Sequence, residues 1–208
     1  MKKIHILDCG FGNIKSLKNS LDYLEIENEI VDNISDIRNI SHLILPGVGS
    51  YKYCTGILEK KNLYEMINNY INKKKNLLGI CIGMQLLFES GDEGGGSNGL
   101  KIFKGKCKKL EADENFHLPH IGFNLVNKPE SLMWREINDK SNFYFIHEYG
   151  LSIDIISNNP DCKFGITKYK SSFISYIENE NGNIFGAQFH PEKSQMTGLR
   201  FLKNFSKI

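Results

Sequence analysis

Residues 76–89, NLLGICIGMQLLFE, decide the fold because they join a buried strand to a helix through a tight turn. The apolar run at 76–80 predicts a β-strand, and the pattern over 82–89 predicts the helix that follows it. Gly79 and Gly83 flank Cys81 between these elements, and glycine suits a turn at which neighbouring chain passes close. This G-x-C-x-G core is the thiol counterpart of the nucleophile elbow G-x-S-x-G, so Cys81 is the first candidate nucleophile.

The predicted turn would expose Cys81 at the carboxyl edge of a sheet, beside the N-terminus of the following helix. The helix dipole and free amides at such a position favour the thiolate, which is the nucleophilic form of cysteine. The same amides could stabilise an oxyanion. The alternative is a small buried cysteine packed between glycines, since G-x-C-x-G arises by chance in roughly 4% of shuffled chains of this composition.

Strand and helix patterns alternate in the first half of the chain. Apolar runs predict strands at 3–8, 29–32 and 42–45, and helical spacing predicts helices at 13–24 and, as one or two segments, 51–74. The glycine-rich residues 91–99 are typical of a mobile loop. This alternation favours an α/β fold with a mainly parallel central sheet flanked by helices.

The second half is rich in β patterns separated by short polar turns. Strands are predicted at 143–147, 164–169, 173–178 and 183–189, and a closing helix at 195–205. Their spacing indicates additional antiparallel strands at the sheet edge or folded over it. No linker-like composition divides the chain, so a single domain over residues 1–208 is expected.

Composition excludes several classes of function. The 26 Lys and Arg against 24 Asp and Glu leave a net charge of +2, which does not fit a nucleic-acid binder. The most apolar run, residues 77–88, falls short of a membrane span and no signal-peptide core is visible. The five cysteines contain no C-x-x-C pair, so neither a disulfide framework nor a zinc ribbon is expected. A cytoplasmic protein follows as the simplest interpretation.

A cysteine nucleophile needs a base, and residues 188–194, QFHPEKS, offer one together with its orienting group. Pro191 cannot continue a central strand, so the preceding strand should end here. His190 and Glu192 are two residues apart, which places them on the same side of extended chain. Glu192 could then accept from one imidazole nitrogen while the other faces Cys81. A surface histidine beside a salt-bridged glutamate is the alternative.

The chain resembles the class I (triad) glutamine amidotransferases over nearly its whole length. It is most similar to those that serve as glutaminase subunits of imidazole glycerol phosphate synthases. The elbow and the His-Pro-Glu sequence are shared by the whole class. The segments that carry the resemblance are DCGFGN (8–13), PGVG (46–49), GICIGMQ (79–85), PHIGFN (119–124), YFIH (144–147) and QFHPEKS (188–194).

The resemblance implies a mechanism without cofactor or metal, in which Cys81 attacks the carboxamide of L-glutamine. His190 protonates the departing ammonia and then activates the water that hydrolyses the γ-glutamyl thioester, while Glu192 orients His190. The implied oxyanion site comprises the loop and elbow residues Gly47, Val48, Gly49 and Ile82. The residues implied to hold glutamine are Gln85 and Glu93.

The resemblance also implies a heterodimer with a (β/α)₈ cyclase. That partner would use the ammonia to convert PRFAR into imidazole glycerol phosphate and AICAR in histidine biosynthesis. The positions that match the partner-facing or ammonia-passage residues are Phe123, Asn124, Tyr144, His147 and Lys193. For Tyr144 and His147 the alternative is core filling on a buried strand. The Val48 peptide in such loops can need reorientation before it donates to an oxyanion.

Three positions depart from the family pattern. Phe123 stands where tryptophan is usual, Glu148 where a small hydroxyl residue is usual, and Cys9 where tyrosine is usual. These departures keep open a paralogous glutaminase that feeds a sugar amidotransferase in surface-glycan biosynthesis. The sequence is also compatible with a stand-alone cysteine hydrolase and with a regulatory subunit whose site has decayed.

Two further segments carry no function of their own. His117 and His120 could suggest a metal pair, but Pro119 interrupts any helical arrangement and no third ligand is near. The lysine-rich residues 101–109 are typical of a solvated strand or loop face. Neither a metal nor a nucleic-acid partner is therefore expected.

Overall fold

The computed structural model describes residues 1–32 and 39–208. Its α-helices are α1 (Ile14–Tyr23), α2 (Tyr51–Lys60), α3 (Leu63–Asn72), α4 (Ile82–Gln85) and α5 (Gln195–Phe205). The predicted segment 51–74 is two helices, because Asn62 adopts a left-handed conformation with φ of 54° between them. This single residue redirects the chain, since a regular helix cannot continue through positive φ.

The strands form one large sheet and a separate pair. They are β1 (Ile4–Leu7), β2 (Asn28–Val31), β3 (His42–Leu45), β4 (Asn76–Ile80), β5 (Phe88–Gly91), β6 (Ser97–Asn98), β7 (Phe103–Lys109), β8 (His120–Leu125), β9 (Asn142–His147), β10 (Tyr149–Ser152), β11 (Lys163–Lys168), β12 (Ser172–Glu178) and β13 (Ile184–Ala187). The large sheet runs in the order β2-β1-β3-β4-β13-β12-β10-β7-β5-β6, with β11 also paired to β12. Strands β8 and β9 pair with each other.

The parallel part of the sheet comprises β2, β1, β3, β4 and β13. Strand β12 then pairs with β13 in the antiparallel sense, and β10 with β12 likewise. The prediction of an α/β fold with a mainly parallel sheet and added antiparallel strands is confirmed. Its most consequential feature is that β13, from the end of the chain, lies beside β4.

An apolar core lies on each face of the parallel strands, because alternate strand residues point to opposite sides. Leu43 and Leu45 pack with α2 and α3 on one face. Ile44 packs with α1 and α5 on the other. Burying each such side chain stabilises the fold by about 1.5–3 kcal/mol, so both helical layers are held by the sheet's own alternation.

The helix predicted at 82–89 was wrong in its second half. Helix α4 ends at Gln85, and the chain continues into β5, which pairs with β7 and β6. Leu86, Leu87 and Phe88 are all fully buried. A run that is buried on every side has no amphipathic period, so periodicity could not distinguish helix from strand here.

Residues 92–96 form the turn between the antiparallel strands β5 and β6, within the segment 91–99 that the composition predicts as a mobile loop. The turn uses positive φ at Gly94, Gly95 and Gly96, a conformation open to glycine. Asp92 forms an ion pair with Lys106 of β7 across this turn. Strands β7, β8 and β10 were also missed by the sequence patterns. Across the described chain, no helix combines the length and apolarity that a membrane span requires.

Candidate active site

Cys81 occupies the turn between β4 and α4 in a strained conformation. Its φ and ψ are 54° and −113°, a region that non-glycine residues rarely adopt. The Cys81 amide donates to the Ala187 carbonyl of β13 at 2.7 Å. Backbone strain of this kind persists where surrounding structure holds it, and it occurs preferentially at functional sites.

The glycines of the elbow are required by close backbone contact. A Cβ atom on Gly79 would lie 2.5 Å from the Gly83 carbonyl oxygen. A Cβ atom on Gly83 would overlap the carbonyl oxygen of Leu45 in the neighbouring strand. Glycine at positions 79 and 83 is therefore required by this packing of α4 against β3 and β4.

His190 and Glu192 lie just beyond β13, where Pro191 starts a short 3₁₀ turn. His190 Nδ1 is 2.8 Å from Glu192 Oε1, and the two side chains are only 2% and 3% exposed. Since the carboxylate accepts, Nδ1 carries the proton and Nε2 is turned to Cys81. Burial alone would lower the pKa of His190, but the charge and hydrogen bonding of Cys81 and Glu192 raise it to about 10.

Two backbone partners fix the position of His190. Its amide donates to the Tyr144 carbonyl at 2.8 Å. The Ser194 hydroxyl donates to the His190 carbonyl at 2.6 Å and accepts from the Tyr144 amide at 2.9 Å. Ser194 was not predicted as a site residue, because a hydroxyl's partners across strands cannot be inferred from its neighbours in sequence.

A second unpredicted residue, Gln188, contacts the nucleophile. Its Nε2 donates to Cys81 Sγ at 3.7 Å, and its Oε1 accepts from Gln85 Nε2 at 3.0 Å. Gln85 Nε2 also donates to the Tyr149 carbonyl at 2.9 Å. The Gln85 amide nitrogen is therefore committed within the protein. Its Oε1 is buried without a hydrogen-bond partner among the described residues.

Cys81, Gln85, Tyr149 and His190 line a cavity of about 650 Å³, a size that suits a small metabolite. Glu93, Glu148 and Lys193 contribute charged groups to its wall. Glu93 Oε2 accepts the Tyr51 amide at the start of α2 at 2.8 Å. Burial, reinforced by repulsion from Glu148, raises the pKa of Glu93.

The predicted oxyanion residues divide between the cavity and its supporting wall. Val48, Gly49 and Ile82 line the cavity together with Cys81. Gly47 instead packs directly against Ile82 and Gly83, where no Cβ would fit. The Val48 carbonyl accepts from Cys54 Sγ at 4.0 Å. Residues 46–49 therefore lie against the elbow.

The predicted partner-facing residues also divide. His147 and Lys193 line the cavity. Phe123 and Tyr144 lie outside it and form an edge-to-face pair with ring centres 5.5 Å apart. Asn124 lies between Phe123 and Leu125 on β8 and is half-buried. His147 is both a buried core residue and a cavity-lining one, so the core-filling alternative holds in part.

A buried nucleophilic cysteine on a strand-to-helix turn, paired with a His-Glu dyad, defines the triad class of cysteine enzymes. The sequence profile of the family Glutamine amidotransferase class-I matches residues 5–208. Two solved structures share the fold at 18% sequence identity. They are a putative GMP synthase protein from Thermoplasma acidophilum (TM-score 0.73, covering 100% of this chain and 93% of that one) and PurLQS from Thermotoga maritima (TM-score 0.72, covering 99% and 98%).

Curated relatives narrow the group. The imidazole glycerol phosphate synthase subunit HisH of Caldanaerobacter subterraneus subsp. tengcongensis is 39% identical over 206 residues, covering 99% of this chain and 98% of that protein. The HisH subunit of Moorella thermoacetica is 38% identical, covering 100% and 96%. The chain belongs to the class I glutamine amidotransferase family and, within it, to the HisH group.

Proposed function

We propose that the protein is the glutaminase subunit of an imidazole glycerol phosphate synthase. Cys81 Sγ attacks the carboxamide carbon of glutamine, and the C–N bond breaks as His190 protonates the departing ammonia. Water, deprotonated by His190, then cleaves the thioester to release glutamate and restore the thiol. The observation that carries this proposal is the buried His190–Glu192 pair turned to Cys81 inside a metabolite-sized cavity.

The cavity offers complementary groups for each end of glutamine. Gln85, which lines the cavity, is assigned to glutamine binding, and the carboxylates of Glu93 and Glu148 attract the α-ammonium. The amides of Ile82 and the residue 47–49 loop are assigned to the oxyanion. Glu148 places a second carboxylate near the cavity mouth, where a small hydroxyl residue is usual in relatives, and Lys109 pairs with it at 3.5 Å.

We assign the outward side of β8 and β9 to the cyclase partner and call it the docking face, comprising Ile121, Phe123, Leu125 and Ile146. These side chains are 43–58% exposed, which is unusual for four large apolar residues in one patch. The strand register sets Ile121 beside Ile146. Ile146 also lines the catalytic cavity, so the docking face continues to the cavity mouth. Ammonia released there would pass directly to a docked partner.

The test is to mix the chain with a cyclase subunit, PRFAR and glutamine, and to measure glutamate release. We expect release that depends on the cyclase, abolished by Cys81→Ala and retained in Cys162→Ala, which changes a half-buried cysteine remote from the triad. The expected compartment is the cytoplasm.

Each competing function predicts a different result. Full turnover without any partner would identify a stand-alone hydrolase, and stimulation by a sugar amidotransferase alone would identify the surface-glycan paralogue. Absence of glutamate release with every synthase would overturn the proposal.

A further inference from the structure

A continuous series of hydrogen bonds connects the Cys81 sulfur with β8, a strand that carries part of the docking face. From the sulfur it passes through Gln188 Nε2 (3.7 Å) and Gln85 Nε2 (3.0 Å) to the Tyr149 carbonyl (2.9 Å). The same carbonyl oxygen accepts from His147 Nδ1 at 2.9 Å. Tyr149 therefore joins two arms, one leading to the nucleophile and one leading away from it.

The second arm reaches the half-buried Asn124. His147 Nε2 is 3.2 Å from His120 Nδ1, and His120 Nε2 is 3.4 Å from Asn124 Nδ2. Asn124 Nδ2 also donates to the Lys168 carbonyl at 3.0 Å, and its Oδ1 accepts the Leu125 amide at 2.8 Å. Both of its amide atoms are thus engaged.

The donor and the acceptor of every hydrogen bond in this series are determined. A main-chain carbonyl only accepts, so Tyr149 requires a proton on His147 Nδ1 and the nitrogen of Gln85. His147 Nε2 must then accept from His120, and His120 Nε2 from Asn124. The Lys168 carbonyl independently requires the same orientation of Asn124. The two ends of the series therefore agree on one arrangement.

Packing restricts the two histidines to this arrangement. His120 is stacked on Phe145 with ring centres 5.0 Å apart and lies 4.2 Å from the ring of Tyr169. Both histidines are nine-tenths buried or more. Burial lowers the pKa of His120 to about 4 and that of His147 to about 3, so both rings are neutral with one donor and one acceptor each.

The far end of the hydrogen-bond series lies on β8, the strand that carries most of the docking face, although the Asn124 side chain points to the opposite side of that strand. Asn124 is flanked on β8 by Phe123 and Leu125, which are 49% and 48% exposed. A partner that contacts these two side chains must bear on the strand segment that carries Asn124. Any displacement of that segment changes a hydrogen bond to His120.

We propose that Gln188 is a positioning residue for the Cys81 sulfur, and that β8 acts on it through Asn124, His120, His147, Tyr149 and Gln85. The proposal rests on the proposed function, since it concerns how partner docking reaches the nucleophile. In this role Gln188 sets the orientation of the sulfur by donating to it. The hydrogen-bonded series from Asn124 through His120, His147 and Tyr149 to Gln85, which we call the relay, sets the orientation of Gln188. No proton moves along the relay, because each donor retains its hydrogen.

The test measures the alkylation rate of Cys81 by iodoacetamide in the isolated full chain, with the modified residue identified by peptide mapping. Gln188→Met removes the donor while nearly preserving volume, and should change the rate by about three- to tenfold, the effect of one net hydrogen bond. His147→Phe should change it in the same direction. His147→Gln, which can still donate to Tyr149 and accept from His120, should restore most of the rate.

On β8, Asn124→Ala is the test variant, and Asn142→Ala on β9 is its matched control. Asn142 is an exposed asparagine of β9, paired opposite Leu125, and lies outside the relay. We expect Asn124→Ala to change the alkylation rate and Asn142→Ala to leave it unchanged. Because Asn124 is only half-buried, Asn124→Ala provides the test if Gln188→Met does not fold.

An unchanged rate in both Gln188→Met and Asn124→Ala would overturn the proposal. Strict additivity of the two substitutions in the double variant would also overturn it, because coupled residues should be non-additive. Alkylation requires neither glutamine nor a cyclase. Failure of the relay is therefore distinguishable from failure of the proposed glutaminase function.

Discussion

The main-chain amide of His190 donates to the Tyr144 carbonyl at 2.8 Å, which ties the proposed catalytic histidine to strand β9. The Ser194 hydroxyl completes the connection by bridging the Tyr144 amide and the His190 carbonyl. Strand β9 also carries Ile146 of the docking face. The proposed base is therefore hydrogen-bonded to a strand that also carries part of the proposed partner surface.

Ser194→Ala should reduce both stability and turnover. It leaves two buried backbone groups without their side-chain partner, which costs about 1–3 kcal/mol each when unsatisfied. We expect a lower midpoint of denaturant unfolding and a lower kcat with little change in KM, because the glutamine-binding groups lie elsewhere in the cavity. A higher KM with an unchanged kcat would contradict a role of Ser194 in holding His190.

Glu192→Gln should lower kcat by about 10²–10⁴ while the fold is retained, because an amide can orient the imidazole but cannot stabilise its charge. It should also lower the pKa of His190 from about 10. NMR titration of the imidazole in both variants measures the pKa directly. Glu65→Gln, at an exposed site on α3, is the control and should leave both properties unchanged.

Gly83→Ala should destabilise the protein by several kcal/mol, because its Cβ would overlap the Leu45 carbonyl. Gly56→Ala is the matched control. Nothing lies within 4 Å of a Cβ at this exposed position in α2. Alanine there should stabilise by about 0.5–1 kcal/mol through its helix propensity. Equal effects of the two substitutions on the free energy of unfolding would refute the steric account of the elbow.

Ile121→Glu should weaken binding of the cyclase at least about tenfold, which corresponds to about 1.4 kcal/mol. A charge in the middle of an apolar docking face must be desolvated without a partner. Leu132→Glu provides the control, since Leu132 is 67% exposed but lies outside the docking face. Calorimetric titration should give an unchanged Kd for this control, and similar Kd values for both variants would place the interface elsewhere.

Acid should destabilise the protein through its buried histidines. Burial lowers the pKa of His42 to about 4, against an ordinary value of 6.5. Below pH 6.5 the His42 imidazole binds a proton in the unfolded chain, whereas in the folded chain it does not bind one until the pH falls to about 4. Stability is therefore fully present above pH 6.5 and falls by about 1.4 kcal/mol per pH unit for this group. His42→Gln should reduce the slope of unfolding free energy against pH by about that amount, and an unchanged slope would contradict it.

The sequence was sufficient for the parallel half of the fold because β1, β3 and β4 are short apolar runs separated by amphipathic helices. The elbow and the His-Pro-Glu turn were recognisable because each motif holds its reactive side chains within a few consecutive residues. The antiparallel half was less accessible. Strands such as β8 carry exposed apolar residues on the outward face that we assign to the partner, a pattern opposite to that of an ordinary half-buried strand.

Gln188 and Ser194 could not be assigned roles from sequence for a different reason. Both lie inside the recognised segment 188–194, yet their partners are Cys81, Gln85 and Tyr144, which are brought to them only by the tertiary fold. A local pattern identifies residues that react. It does not identify residues whose effect depends on which strands become neighbours.

The insertion of β13 beside β4 has a consequence for the life of the chain before it is complete. Cys81 follows β4, whereas His190 and Glu192 follow β13, and the two strands pair from Ile184 opposite Leu77 to Ala187 opposite Ile80. A ribosome-bound chain that lacks its last segment has the nucleophile but no base and no neighbour for that edge of β4. Cys81 and the proposed base His190 can therefore come together only after β13 has been synthesised and has docked beside β4.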